Sequence, residues 1–136
     1  MKKCIISSLV VVLFAALLVS CSPKESNYSL HLLVDSWSDQ NIDYPENEFY
    51  YENLISKKTY DIPLRGSAFL REFKVVKIDS NSITISTSES YSDNEDGHVF
   101  ASEKKKFVIE YGKSKTIYTR SMDAGESYVF TLVEKN

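Results

Sequence analysis

The sequence predicts an all-β fold, an antiparallel β-sandwich or small barrel, and three observations carry that expectation. Short runs of alternating apolar and polar residues recur at roughly 8 to 12 residue spacing. Clusters of Gly, Asn, Asp, Ser and Pro punctuate them, as strand connections require. Apart from the short run Phe49 to Ile55, no competing stretch repeats apolar positions at the period of an amphipathic helix. Seven or eight such strands suit a sandwich better than a barrel, and the sandwich is the preferred architecture.

In chain order, Tyr28 to Asp35 alternates Leu30, Leu32 and Val34 with Ser29, His31 and Leu33, which gives one strand a buried face; Trp37 follows at its end. Asp39 to Glu48 is polar, contains Pro45, and reads as loop. Phe49 to Ile55 satisfies two periods. Alternation makes it a strand, while Tyr50 with Leu54 and Tyr51 with Ile55 meet helical i,i+4 spacing; the strand is preferred. Ser56-Lys57-Lys58 then turns into Thr59 to Leu64, which carries Tyr60 and Ile62 inward and which Pro63 confines to an edge or a strand end.

The strongest hairpin signal follows. Phe69 to Ile78 is rich in Phe, Val and Ile, Asp79-Ser80-Asn81-Ser82 is turn chemistry, and Ile83 to Thr87 alternates with only Ile83 and Ile85 apolar. Phe107 to Tyr111 forms another strand, Gly112 to Lys115 a turn, and Thr116 to Arg120 the partner. Ser121 to Gly125 turns again, and Ser127 to Glu134 closes the chain with Tyr128, Phe130 and Leu132 on one face. The run Gly125-Glu126-Ser127-Tyr128 into Phe130 and Leu132 resembles the last strand of bacterial immunoglobulin-like (Ig-like) domains, although the cysteine pair of antibody domains is absent.

Ahead of this domain, Lys2 and Lys3 precede an apolar stretch from Ile5 to Leu18, and Ser20 supplies a small residue beside Cys21, the order of a signal peptide. A transmembrane helix is the rival reading. A span needs about 20 apolar residues, whereas Ile5 to Ser20 is shorter, contains Ser7 and Ser8, and is followed by polar Ser22-Pro23-Lys24-Glu25-Ser26-Asn27 rather than a basic flank. Leu18-Val19-Ser20-Cys21 resembles the lipobox of bacterial lipoproteins position by position. That resemblance implies diacylglycerol on the Cys21 thiol, cleavage after Ser20, and a domain anchored by acyl chains such as palmitate in the cell membrane or outer membrane, on its extracytoplasmic side. The expected organisation is a signal peptide over 1–20, a lipidated cysteine and tether over 21–28, and one β domain over 29–136.

Cleavage would leave 116 of the 136 residues, the size of one domain. Losing Lys2 and Lys3 shifts the net charge from −3 to −5, because every carboxylate lies beyond Ser20. An acidic domain disfavours nucleic acid, whose binding depends on neutralising phosphates, and disfavours peripheral docking on anionic headgroups other than through the lipid. Cys4 leaves with the signal and the Cys21 sulfur becomes a thioether, so no thiol remains for a disulfide, metal or nucleophile. The basic run Lys104-Lys105-Lys106 reads as a solvated start to a strand.

One acidic loop has partial calcium spacing. Ser92 to Glu103 places Asn94, Asp96 and Glu103 at the third, fifth and twelfth positions of an EF-hand-type loop, with Gly97 sixth and Val99 eighth. Ser92 replaces the anchoring Asp, and strands rather than helices flank the loop, so an acidic surface loop is the preferred reading. His31 and His98 lie in no ligand spacing, and no nucleophile elbow, phosphate loop or dinucleotide motif occurs. No cofactor and no catalysis are expected. Trp37, Tyr44, Tyr50 and Tyr51, among acidic neighbours, are the candidate contacts to an envelope protein or glycan, against the rival reading that most of them fill the core. The alternative function is an enzyme or inhibitor acting on envelope polymers.

Overall fold

In the computed structural model, which describes residues 23–38, 46–64, 69–95, 105–120 and 124–135, eight strands form two antiparallel sheets. The strands are β1 (Tyr28–Ser38), β2 (Asn47–Tyr51), β3 (Thr59–Asp61), β4 (Glu72–Ile78), β5 (Ser82–Thr87), β6 (Lys106–Glu110), β7 (Ser114–Arg120) and β8 (Ala124–Glu134). One sheet runs β2-β1-β8-β7 and the other β3-β4-β5-β6. The two do not close into a barrel. The likeness to immunoglobulin-like domains extends to two packed antiparallel sheets. The order differs, since the second sheet is a sequential meander.

Alternation decides what faces inward. Leu30, Leu32 and Val34 of β1 stand opposite Leu132, Phe130 and Tyr128 of β8, and all six are fully buried. From the other sheet come Phe73, Val75, Ile78, Ile83, Ile85, Phe107 and Ile109. Phe73 meets Phe130 edge to face at 5.7 Å, and Phe107 meets Phe130 at 5.2 Å, so aromatic rings join the sheets at mid-core.

The segment Phe73-Lys74-Val75-Val76-Lys77-Ile78 cannot follow strict alternation without sending Lys77 inward and Ile78 out. A bulge resolves this. Val75 pairs with Ile85 and Lys77 with Thr84, so β4 carries one residue more than β5. The phase flips, Lys77 reaches solvent, and Ile78 is buried.

Several boundaries differ from the sequence reading. Residues 49–55 hold a strand, not a helix, but it starts at Asn47 and ends at Tyr51, leaving Leu54 buried in the connection to β3. Phe69 and Leu70 precede β4 because their amides are bonded elsewhere, as described below. Strand β8 starts at Ala124, and β1 extends through Trp37 to Ser38, because these two pair over their whole length. Gly112, at φ 73, makes the tight turn from β6 into β7.

The polar stretch before β1 is partly fixed. Ser26 N–H donates to Leu54 O at 2.8 Å, Ser56 N–H to Lys24 O at 2.8 Å, and Lys24 N–H to Ser56 Oγ at 3.0 Å. Of the residues read as tether, Lys24 to Ser26 therefore belong to the folded body. Cys21 lies outside the described residues.

Candidate binding surface

Strands β2, β1, β8 and β7 turn half of their side chains away from the core, and register arranges those in rows. Tyr50, His31, Thr131 and Ser114 form one row across the sheet; Glu48, Leu33, Val129 and Thr116 form the next; Asp35, Ser127 and Tyr118 the third; Trp37 and Gly125 the last described. The face mixes aromatic rings, aliphatic side chains and hydroxyls. Leu33, Val129, Val133, Thr131 and Tyr118 are all part-exposed.

Tyr50 is the most exposed large apolar side chain among the described residues, at 61%. Its ring is nevertheless held. It stacks on His31 with centroids 4.6 Å apart and planes within 9°, and its hydroxyl donates to Glu48 Oε1 at 2.8 Å. That hydrogen bond to a carboxylate pushes the Tyr50 pKa above its ordinary value, so the hydroxyl keeps its proton at neutral pH. His31 Nε2 also lies 2.7 Å from Glu48 Oε1, but out of line for an N–H···O hydrogen bond. One face of the phenol is covered by imidazole and the other faces solvent. An aromatic side chain held this way offers contact area while losing little rotamer freedom on binding.

At the far end of β1, the Trp37 indole lies over Gly125. A β-carbon on Gly125 would stand 2.7 Å from Trp37 Cε2 and Cζ2 and 2.8 Å from Thr119 O, so glycine is what lets the ring lie down. Trp37 is half-buried there.

Tyr51, the next candidate contact, does not belong to this surface. Alternation turns it inward, where it packs edge to face on Phe73 at 4.9 Å and on Tyr60 at 5.8 Å and donates its hydroxyl to Asp61 O at 2.8 Å. Burial pushes its pKa up to about 12. For Tyr51 the rival reading as a core residue holds. Tyr44 lies outside the described residues.

The acidic loop is likewise divided. Asp96, His98 and Glu103 lie outside the described residues. Ser92 is held in a β-bridge with Tyr118, with reciprocal N–H···O bonds of 2.9 Å, and Asp93 is paired with Lys115 at 2.5 Å. Asn94 is exposed, its own N–H bonded to Ser92 Oγ at 3.1 Å. The first position of the calcium spacing is thus used as a strand cap on the β7 edge. Among the described residues no three His, Cys, Asp or Glu side chains are grouped to hold a metal ion.

Sequence reasoning missed two polar arrangements. Glu48 was assigned to loop, yet it completes the Tyr50–His31 cluster from β2. Glu126 was not singled out, although it shares the inward face of β8 with Tyr128. It is 8% exposed, receives the Phe69 N–H on Oε2 at 2.9 Å, and accepts a short hydrogen bond from the Tyr128 hydroxyl, which itself receives the Leu70 N–H at 3.0 Å. The i,i+2 spacing of Glu126 and Tyr128 in a strand was the available signal. This cluster ties the segment before β4 to β8, across the two sheets. Its carboxylate is already engaged, so it braces the fold rather than serving a substrate. A shallow cavity of about 170 Å³ on the outer face of the other sheet, between Thr59, Glu72, Lys74 and Ser86, contains a single carboxylate. The paired carboxylates of a glycosidase are not found there.

Comparison with protein-family models, with curated proteins and with solved structures finds no match to this chain.

Proposed function

We propose that the chain is a lipid-anchored, extracytoplasmic binding module of the bacterial envelope, held at the membrane by acylated Cys21 and meeting a neighbouring envelope protein or glycan on the outer face of the β2-β1-β8-β7 sheet. The observation that carries the contact surface is Tyr50: exposed, yet stacked on His31 and tied to Glu48. Exposed aromatic groups rimmed by polar side chains suit protein or sugar partners, and rigid ones serve best as contact anchors. The lipobox resemblance at Leu18 to Cys21 supports the anchor, and the short path from Cys21 to the bonded Lys24 keeps the module near its membrane.

The test is recovery of partners from the native envelope with the soluble domain as bait, and retention on isolated envelope glycan, each compared between the parent and Tyr50→Ala. Recovery should fall at least tenfold in one of the two assays, at unchanged melting temperature. Equal recovery by parent and variant in both would refute this surface.

A further inference from the structure

We infer that the end of the sandwich carrying Lys24, Lys57 and Lys58 is a membrane-contact surface that seats on anionic phospholipid headgroups; this rests on the lipid anchor proposed above. Strand directions gather several features at that end. Tyr28 opens β1 opposite Glu134 of β8. Tyr28 also stacks on Tyr111 of the β6–β7 turn at 4.7 Å and donates its hydroxyl to Ser80 O of the β4–β5 turn at 3.3 Å. Glu25 bridges Ile55 in the β2–β3 connection. Trp37 is at the other end of the same strand.

Three lysines at this end are already neutralised: Lys77 by Asp79 at 2.8 Å, Lys113 by Glu110 at 2.6 Å, and Lys135 by Glu25 at 3.3 Å. Lys24, Lys57 and Lys58 are exposed and, among the described residues, meet no carboxylate. The hydrogen bonds between Lys24 and Ser56 draw these three cations into one corner. The acids Glu52 and Glu134 at this end temper that charge without pairing with it.

Two further points favour a lipid surface as the occupant. Lys57 has φ 68, a left-handed conformation strained for any residue with a β-carbon, and the chain places a lysine where glycine would fit best. The three residues from Cys21 to Lys24 reach at most about 10 Å. Headgroup charge is screened over about 8 Å at physiological salt. The leash therefore holds this corner within range of the bilayer's charge, which the overall acidity of the domain obscures.

The experiment uses the full acylated chain in vesicles of phosphatidylcholine, with or without phosphatidylglycerol. A membrane-impermeant amine reagent labels exposed lysines, and mass spectrometry reads each site, with Lys105 and Lys106, at the entry to β6 on the far edge of the other sheet, as internal references. An attraction of about fivefold per lysine predicts at least a fivefold fall in Lys57 and Lys58 labelling on phosphatidylglycerol, reversed by high salt. Lys57→Gly, which relieves the backbone, should restore Lys58 labelling by about fivefold. Equal labelling on both vesicles, by a chain that floats with them, overturns the contact surface and leaves the anchor standing. A chain that floats with neither overturns both.

Discussion

Tyr128→Phe removes one hydroxyl from the brace between the sheets, and its effect should depend on pH in a defined way. Leu70 N–H loses its acceptor and Glu126 loses a donor, both in the interior. A buried polar group left unpaired costs about 1 to 3 kcal/mol, so the variant should be less stable by about 3 kcal/mol near neutral pH. Burial, then the hydrogen bond to Glu126 and the charge of Glu126, raise the Tyr128 pKa well above 10.0. A raised folded pKa means that the stabilisation is whole below the unfolded value and declines as pH climbs from there toward the folded value. Above about pH 10 the parent should lose about 1.4 kcal/mol per pH unit from this hydroxyl alone, or about 2.7 kcal/mol by about pH 12. That nearly equals the cost of the substitution. Tyr51 and Tyr91, both pushed up to about 12 by burial, titrate in both proteins and cancel in the difference. Urea midpoints measured from about pH 8 to about pH 12 should therefore show the gap between parent and variant closing above about pH 10. A gap that stays constant would refute the assignment of that hydroxyl to the brace.

Other outcomes follow from single contacts. Tyr51→Ala should cost about 2 to 3 kcal/mol by urea denaturation, a little under a fully buried aromatic, whereas Tyr50→Ala should shift stability by less than about 1 kcal/mol. Equal effects would invert the faces assigned to β2. A soluble chain starting at Asn27 should be less stable than one starting at Ser22 by about 2 to 4 kcal/mol, since it lacks the Lys24 and Ser26 hydrogen bonds to the Leu54–Ser56 segment; equal urea midpoints would contradict that. Cys21→Ala should abolish incorporation of labelled fatty acid and leave the precursor uncleaved, and normal labelling would end the lipoprotein proposal. Millimolar calcium should leave the melting temperature unchanged; a rise that vanishes in Asp96→Ala would reinstate the loop as a site.

The strands were legible wherever alternation was uninterrupted. In β1, β5 and β8, inward Leu30, Ile83 and Phe130 follow directly from a period of two. Legibility failed where local pattern and tertiary pairing disagree. The bulge in β4 exists because Ile78 is worth burying and Lys77 is not, a choice set by the facing sheet. The exposed ring of Tyr50 and the buried one of Tyr51 are adjacent in sequence, and only pairing with His31 and Leu30 of β1 decides which points out. Trp37 read as an appendage to a strand because its support, Gly125, lies on β8. The buried carboxylate of Glu126 was hidden because its partners, the amides of Phe69 and Leu70, carry no side-chain signature.

The pairing of β1 with β8 over eleven positions also determines when this chain can fold. These central strands lie at opposite ends of the domain's sequence, and joining them closes a loop of roughly a hundred residues, an entropic cost of about 4 kcal/mol before any contact compensates. The β3-β4-β5-β6 meander can pair as it emerges, but its apolar face has no cover until β8 arrives. The last strand of the domain is thus the one that completes the core, and folding should be slow on the scale of small domains. Until β1 and β8 meet, the apolar faces of both sheets stay open to water, so an incomplete domain exposes the surface on which chains aggregate.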